Sequence, residues 1–328
     1  MSRSRKYKLV NINLRKFIIK NILSVLSPED FTVINDILCQ QKMRNLNMQR
    51  YRNKFSNQKF LQRITSPASP TQEDLELYKK YLPQNGTVVL LGSTPTIRDL
   101  LTDLEINYIV ADSSFRMIEN SLQLTQKANQ EKETWLKSEW SEMPLANNFF
   151  DCIIGDLVIN QILPSNQDSF FKKIHHLLIP GGIFVTRTQI VNSSLENLNS
   201  NEIIQSIIEG GQIIGIENER VKFYSALCNL LSAFRDKDNQ VFDPKKTLDA
   251  LINYPPRSQD EREWIKKIFK VFLHRANERL EYSIQTENKI ETKLQKYFKI
   301  ENKSFSSDYP DTKYFPVYCL KNTGTFNS

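Results

Sequence analysis

The chain has 328 residues, 40% of them hydrophobic, with 44 Lys and Arg against 37 Asp and Glu. That length suits one large domain or one domain with appendages. No apolar run approaches the roughly 18 residues of a membrane-crossing helix. Its four cysteines (Cys39, Cys152, Cys228, Cys319) form no C-x-x-C pair, and of its three histidines His175 and His176 are adjacent, hence on different helix faces, with His274 remote, so no metal site is expected and the thiols fit a reducing, cytoplasmic setting.

Residues 1–63 hold 14 Lys and Arg against three acids, Glu29, Asp30 and Asp36, while the rest of the chain is slightly acidic. This basic segment is expected to be helical. Leu14, Phe17, Ile18, Ile22 and Val25 recur at helical spacing, and Ser27-Pro28-Glu29-Asp30 reads as a second helix start. Such a segment either meets an acidic partner (nucleic acid or an anionic membrane surface) or is a solvated helical face.

Thr71 with Asp74 has the spacing of a capping box, and Leu75, Tyr78 and Leu82 form one helical stripe. TVVLLG at 87–92 is a short continuous apolar run, the pattern of a buried parallel strand. The alternation then continues. A helix is expected over 96–104, a strand over 107–112, a helix through Phe115, Ile118 and Leu122, and a strand with its exit loop over 133–140. A strand over 150–156 follows, then a helix capped by Ser165 and Asp168, and a strand over 183–189. Strands alternating with helices imply an α/β, doubly wound and mostly parallel sheet.

After Gln189 the pattern is helical to about residue 292, with an expected break at Gly210-Gly211 and a loop at Pro255-Pro256. Ser258 with Glu261 caps a long helix. Two strands, 296–306 and 312–322, then complete the sheet as an antiparallel hairpin. The expected organisation is a basic helical segment at 1–63, a core at 64–190, a helical insertion at 191–292 and terminal strands at 293–328.

Open parallel sheets bind ligands beyond the carboxyl ends of their strands. Gly92 ends the first strand, where a glycine permits a sharp turn and close approach to a ligand. Ser93 and Thr94 lead into a helix whose amino end favours an anionic group. Asp112 follows 20 residues after Gly92, the separation at which an acid receives a ribose diol in nucleotide-binding βαβ units. Past the third strand, Glu139 can bind an adenine amino group and Trp140 can stack on the ring. Each residue also has a plainer reading: Gly92 as a simple strand end, Asp112 as a helix cap, Trp140 as core packing. Their order within one alternating pattern favours the joint site.

LLGSTPTIRDLL (90–101) resembles the first motif of a bacterial branch of class I S-adenosylmethionine-dependent methyltransferases, written Leu-Gly-x-Thr-Pro-x-x-Arg. SPASPTQEDL (66–75), VADSSFRMI (110–118), EWSEMPL (139–145), FDCIIGD (150–156), PGGIFVTRTQ (180–189) and the terminal hairpin at 296–322 resemble further elements of that branch, together over roughly half the chain. The common motif has three glycines; here those positions are Gly92, Thr94 and Thr96. The resemblance implies a Rossmann-like core at 64–190 and S-adenosylmethionine as cofactor, held by Gly92, Ser93, Thr94, Asp112, Ser113, Glu139, Trp140 and Asp156. It implies methyl transfer to a small-molecule or peptide acceptor under a helical lid. Asp156 is the candidate catalytic residue, and Asn160, Arg187, Tyr224 and Tyr254 are candidates for holding the acceptor; Arg187 reads equally as the partner of an acid in a structural ion pair. The alternative is a non-catalytic scaffold of this fold whose basic segment binds nucleic acid or an anionic membrane.

Overall fold

The computed structural model describes residues 65–122, 124–128, 132–213, 218–277 and 281–324. The basic segment at 1–63, with its expected helices, lies outside them.

A seven-stranded sheet organises the molecule, in the order β3-β2-β1-β4-β5-β7-β6. Its strands are β1 (Val88–Leu91), β2 (Tyr108–Asp112), β3 (Glu133–Lys137), β4 (Phe150–Asp156), β5 (Leu178–Arg187), β6 (Lys299–Ser304) and β7 (Val317–Lys321). The first five are mutually parallel. β7 runs antiparallel between β5 and β6, which makes the terminal pair the expected hairpin. The strand order reverses between β1 and β4, so the ends of β1, β2 and β4 flank the switch point where a crevice opens.

Because β1 is buried on both faces, its side chains alternate between two cores. Val89 and Leu91 face one, with Ile153, Phe170, Ile174 and Phe184. Val88 and Leu90 face the other, with Tyr78, Ile97, Leu101 and Ile118. Three helices cover the second face: α1 (Gln72–Lys79), α2 (Pro95–Asp103) and α3 (Phe115–Leu122). α4 (Gln167–Leu177) and α9 (Glu287–Tyr297) cover the first. α1 begins with the expected reciprocal cap between Thr71 and Asp74. α4 does not begin as expected. Its N-cap is Asn166, without a side-chain cap bond, and Asp168 instead accepts the Tyr297 hydroxyl at 3.0 Å.

Among the described residues, four α-helices form the insertion: α5 (Ser200–Ile213), α6 (Glu219–Ala233), α7 (Pro244–Asn253) and α8 (Gln259–Asn277). They enclose a core of their own, with Ile204, Leu230, Leu231, Phe242, Ile268, Phe272 and Ile284. The expected break at Gly210-Gly211 is absent, since α5 runs through to Ile213. The insertion also ends earlier than residue 292. Ile290 and Leu294 of α9 are buried against the sheet, so that helix belongs with the core by its packing.

Candidate functional site

The ends of β1, β2 and β3 are tied into one knot. Gly92 has φ +75°, in the left-handed region, and its amide donates to the Ala111 carbonyl at 2.8 Å. The Trp140 indole N–H donates to the same carbonyl, also at 2.8 Å. A Cβ added at Gly92 would meet the Trp140 ring at an ordinary 3.6 Å, so the backbone conformation, not space, requires glycine here. The Ser93 hydroxyl donates to Asp112 Oδ2 and the Ser114 amide to Oδ1, each at 2.8 Å. The Ser138 amide closes the set on the Asp112 carbonyl at 3.1 Å.

These residues fit a nucleoside with an attached charged chain. A carboxylate offers about four acceptor positions, and Asp112 has committed two, which leaves room for a diol. Burial raises the Asp112 carboxyl above its ordinary value, and the Ser114 amide and Ser93 hydroxyl pull it back down. A group carrying that burial cost gains from further donors. Trp140 is half-buried and also contacts Phe170, at 6.3 Å between ring centroids. Ser113 and Glu139 are exposed beside it. Pro95 opens α2, Thr94 makes no side-chain cap bond, and the first-turn amides have no helical acceptor. The Thr96 hydroxyl oxygen, in that same turn, is buried without a hydrogen-bond partner.

The fourth strand end differs from its expected role. Asp156 does not stand open as a proton acceptor. Its carboxylate pairs with Arg187 through two bonds, Nε to Oδ1 at 2.8 Å and the second guanidinium nitrogen to Oδ2 at 2.9 Å. The Tyr78 hydroxyl donates to Oδ1 at 2.9 Å. Arg187 is fully buried and also reaches Asp74 at 2.8 Å, the Pro67 carbonyl at 3.0 Å and the Tyr309 hydroxyl at 3.1 Å. Burial opposes its charge, yet Asp156 and its other partners hold its pKa above the ordinary value. Strand alternation explains the placement. Asp156 points to the face of Cys152 and Ile154, and Arg187 to that of Val185, both under α1. Arg187 is therefore a buried ion-pair residue rather than an open acceptor contact.

The remaining acceptor candidates are committed elsewhere. Asn160 is buried, donates to the Gln189 and Ser283 carbonyls at 2.8 and 2.7 Å, and accepts from the Thr188 hydroxyl and the Gln189 amide. It rivets the insertion to the sheet. Tyr224 is half-buried in the insertion, edge-on to Phe223 at 5.7 Å, and Tyr254 is buried in the same core. Neither joins the knot at the ends of β1–β3.

A second buried pair was not assigned from the sequence. Arg98 of α2 grips Glu133 of β3 through two bonds of 2.8 and 2.6 Å, both side chains fully buried. Tyr108 and Trp135 also donate to Glu133, at 2.6 and 2.8 Å. Burial opposes ionisation of Glu133, but Arg98 and these donors outweigh it and lower its pKa. The available signal was a carboxylate opening a strand whose Trp135 and Leu136 are buried, with an arginine closing the 90–98 motif.

A family model described as a methyltransferase domain matches residues 91–186, from the last residue of β1 through most of β5. No curated protein matches the chain. Among solved structures, one titled a zinc-dependent alcohol dehydrogenase from Rhodobacter sphaeroides is 14% identical, with 79% of this chain and 91% of that one covered and a TM-score of 0.46. A methyltransferase dependent on S-adenosylmethionine from Methanosarcina mazei is 12% identical, covering 77% and 98%, with a TM-score of 0.44. The 1,6-didemethyltoxoflavin N1-methyltransferase of Burkholderia thailandensis, bound to its acceptor and S-adenosylhomocysteine, is 10% identical, covering 91% and 92%, with a TM-score of 0.44. Likenesses of this size do not bear on function. The methyltransferase-domain match covers the knot and the β4 end, and S-adenosylmethionine is the cofactor that it implies. No helix among the described residues is long and apolar enough to cross a membrane.

Proposed function

We propose that the chain binds S-adenosylmethionine at the ends of β1–β3 and transfers its methyl group to a small-molecule or peptide acceptor. The observation that carries this reading is the Gly92–Ser93–Asp112–Trp140 knot: Ser93 bonds Asp112, and the Gly92 amide and Trp140 indole share the Ala111 carbonyl, at strand ends beside the switch point of the sheet. Asp112 would receive the ribose diol. Trp140, with Glu139 and Ser113 on the exposed rim, would border the adenine. Gly92, Ser93, Thr94 and the open amides of α2 would hold the amino-acid portion, and the unpartnered Thr96 hydroxyl is available beside them.

When bound, the cofactor supplies a sulfonium-activated methyl group; the chain supplies orientation and electrostatics. Asp156 is a positioning residue in this reading. Its ion pair with Arg187 fixes the end of β4 against α1 and the loop before β7. The insertion, riveted by Asn160, would cover the acceptor. Calorimetric titration with S-adenosylhomocysteine tests the reading. Micromolar to low-millimolar binding that Asp112→Ala weakens about tenfold or more is expected. No heat at millimolar ligand, or an Asp112→Ala variant that binds as tightly as the parent, counts against it.

A further inference from the structure

A cleft of about 810 Å³ opens between α9, the loop at Leu163–Ser165 and insertion residues that include Asp238, Gln240, Glu281 and Gln285. It shares no lining residue with the knot at the ends of β1–β3, and its volume lies within the range of small-molecule sites, about 300–1,000 Å³.

The α9 wall carries Lys289, Lys293 and Lys296, spaced by four and then three residues and so on one helix face. The acids of α9 do not neutralise them, because Glu287 and Glu291 both pair with Lys303. Among the described residues, none of the three lysines makes an ion pair. Lys293 is half-buried, and its ammonium donates only to neutral oxygens, the Pro164 carbonyl at 2.8 Å and Gln167 Oε1 at 3.0 Å. Gln167 is itself fully buried and receives the Gln285 amide at 2.7 Å, so a buried amide pair fixes the lysine in place. An ammonium has three donors, and one of these remains. Burial lowers the Lys293 pKa, Asp168 draws it back up, and Lys296 and Lys289 press it further down. Asp238 and Glu281 are the carboxylates of the facing wall, and both are exposed to water.

We propose that this cleft binds a small anionic ligand, with its phosphate or carboxylate group seated on Lys289, Lys293 and Lys296. Lys293 is positioned in advance between its two exposed neighbours, and bonds from ammonium to an anion are roughly twice as strong as neutral ones. Since the cleft joins the core to the insertion, an occupant contacts both.

Calorimetric titration of the full chain with inorganic pyrophosphate and, separately, with citrate tests the site and distinguishes a phosphate from a carboxylate ligand. At least one is expected to bind at millimolar concentration or below. The Lys289→Gln/Lys293→Gln/Lys296→Gln variant should bind about tenfold more weakly or worse. Lys289→Gln/Lys296→Gln, which keeps the Lys293 contacts and hence the wall, should still lose affinity severalfold. Asp238→Asn/Glu281→Gln removes repulsion and should tighten binding. Three outcomes overturn the proposal: no binding of either anion at millimolar concentration, unchanged affinity in the triple variant, which places the anion elsewhere on the chain, or unchanged affinity in the double lysine variant.

Discussion

Asp112 sits under two opposing demands. Burial disfavours its charge, while the Ser93 hydroxyl and the Ser114 amide favour it, and the net shift is upward from 3.8. A carboxyl whose folded-state pKa is raised stabilises the fold fully below its unfolded value and loses that contribution as pH rises through the folded value. At neutral pH the charged form therefore weighs on the fold. Asp112→Asn, which keeps an acceptor for Ser114, should raise Tm at neutral pH by roughly 2 °C, a difference that closes on acidification. The same change should weaken S-adenosylhomocysteine about tenfold or more. Thermal melts across pH, paired with calorimetry, check both halves; a variant less stable at neutral pH contradicts the burial argument. Asp156 shows what a sequence does not reveal at this scale. Its position at a strand end was legible. That Arg187 pairs with an acid was legible too; that Tyr78 joins Asp156 and Asp74 holds the same guanidinium was not, because Tyr78 lies 78 residues from Asp156 and Asp74 113 from Arg187, and they meet only when α1 folds over β4 and β5.

At the scale of elements, two buried ion pairs lock helices onto the sheet. Arg98–Glu133 fastens α2 to β3, which holds the Gly92 turn in register with Asp112. Arg187 fastens α1 and the loop before β7 to the end of β4. Removing one member of a buried pair leaves an uncompensated charge and costs about 3–5 kcal/mol. Arg98→Met should destabilise by about that amount in urea melts, whereas Asp156→Asn, which leaves Arg187 paired with Asp74, should cost less. The double change Arg98→Met/Glu133→Leu should recover much of the loss, since replacing both charges removes the burial cost as well. A Glu133 pKa below 4.5 also means that this stability is present above the unfolded value and is lost as pH falls through the folded one. Acid melts of Glu133→Gln should accordingly be flatter below pH 4.5 than those of the parent. β1, β2 and β4 were legible because they are largely buried and read as apolar runs. The start of α4 was not, because Ser165 and Asp168 have cap spacing while Asp168 finds a stronger tertiary partner in Tyr297.

At the scale of the whole molecule, the order of strands does most to build the site. Sequence alone placed Gly92, Asp112 and Trp140 at three successive strand ends, and the β3-β2-β1 order makes those ends neighbours. The insertion was legible as helical but not as a body with its own core, since Phe242, Phe272 and Tyr282 meet across three separate segments. Residue type alone marks Tyr224 and Tyr254 on it as acceptor candidates, whereas packing commits them to that core. Asn160, whose place after β4 suggests a ligand contact, instead joins the two bodies. Asn160→Ala should loosen that joint by leaving the buried Gln189 and Ser283 carbonyls without their donor, at about 1–3 kcal/mol for each orphaned group. Faster proteolysis within 191–286, with the sheet spared, would show it; uniform destabilisation of both bodies would not fit.

The location of the cofactor is the claim on which the functional reading turns. Amide hydrogen exchange with and without S-adenosylhomocysteine tests it directly. Slower exchange is expected at residues 92–97, 112–114 and 138–141, with little change along the α9 cleft. Unchanged exchange at those three strand ends under saturating ligand would contradict it, as would protection confined to the cleft.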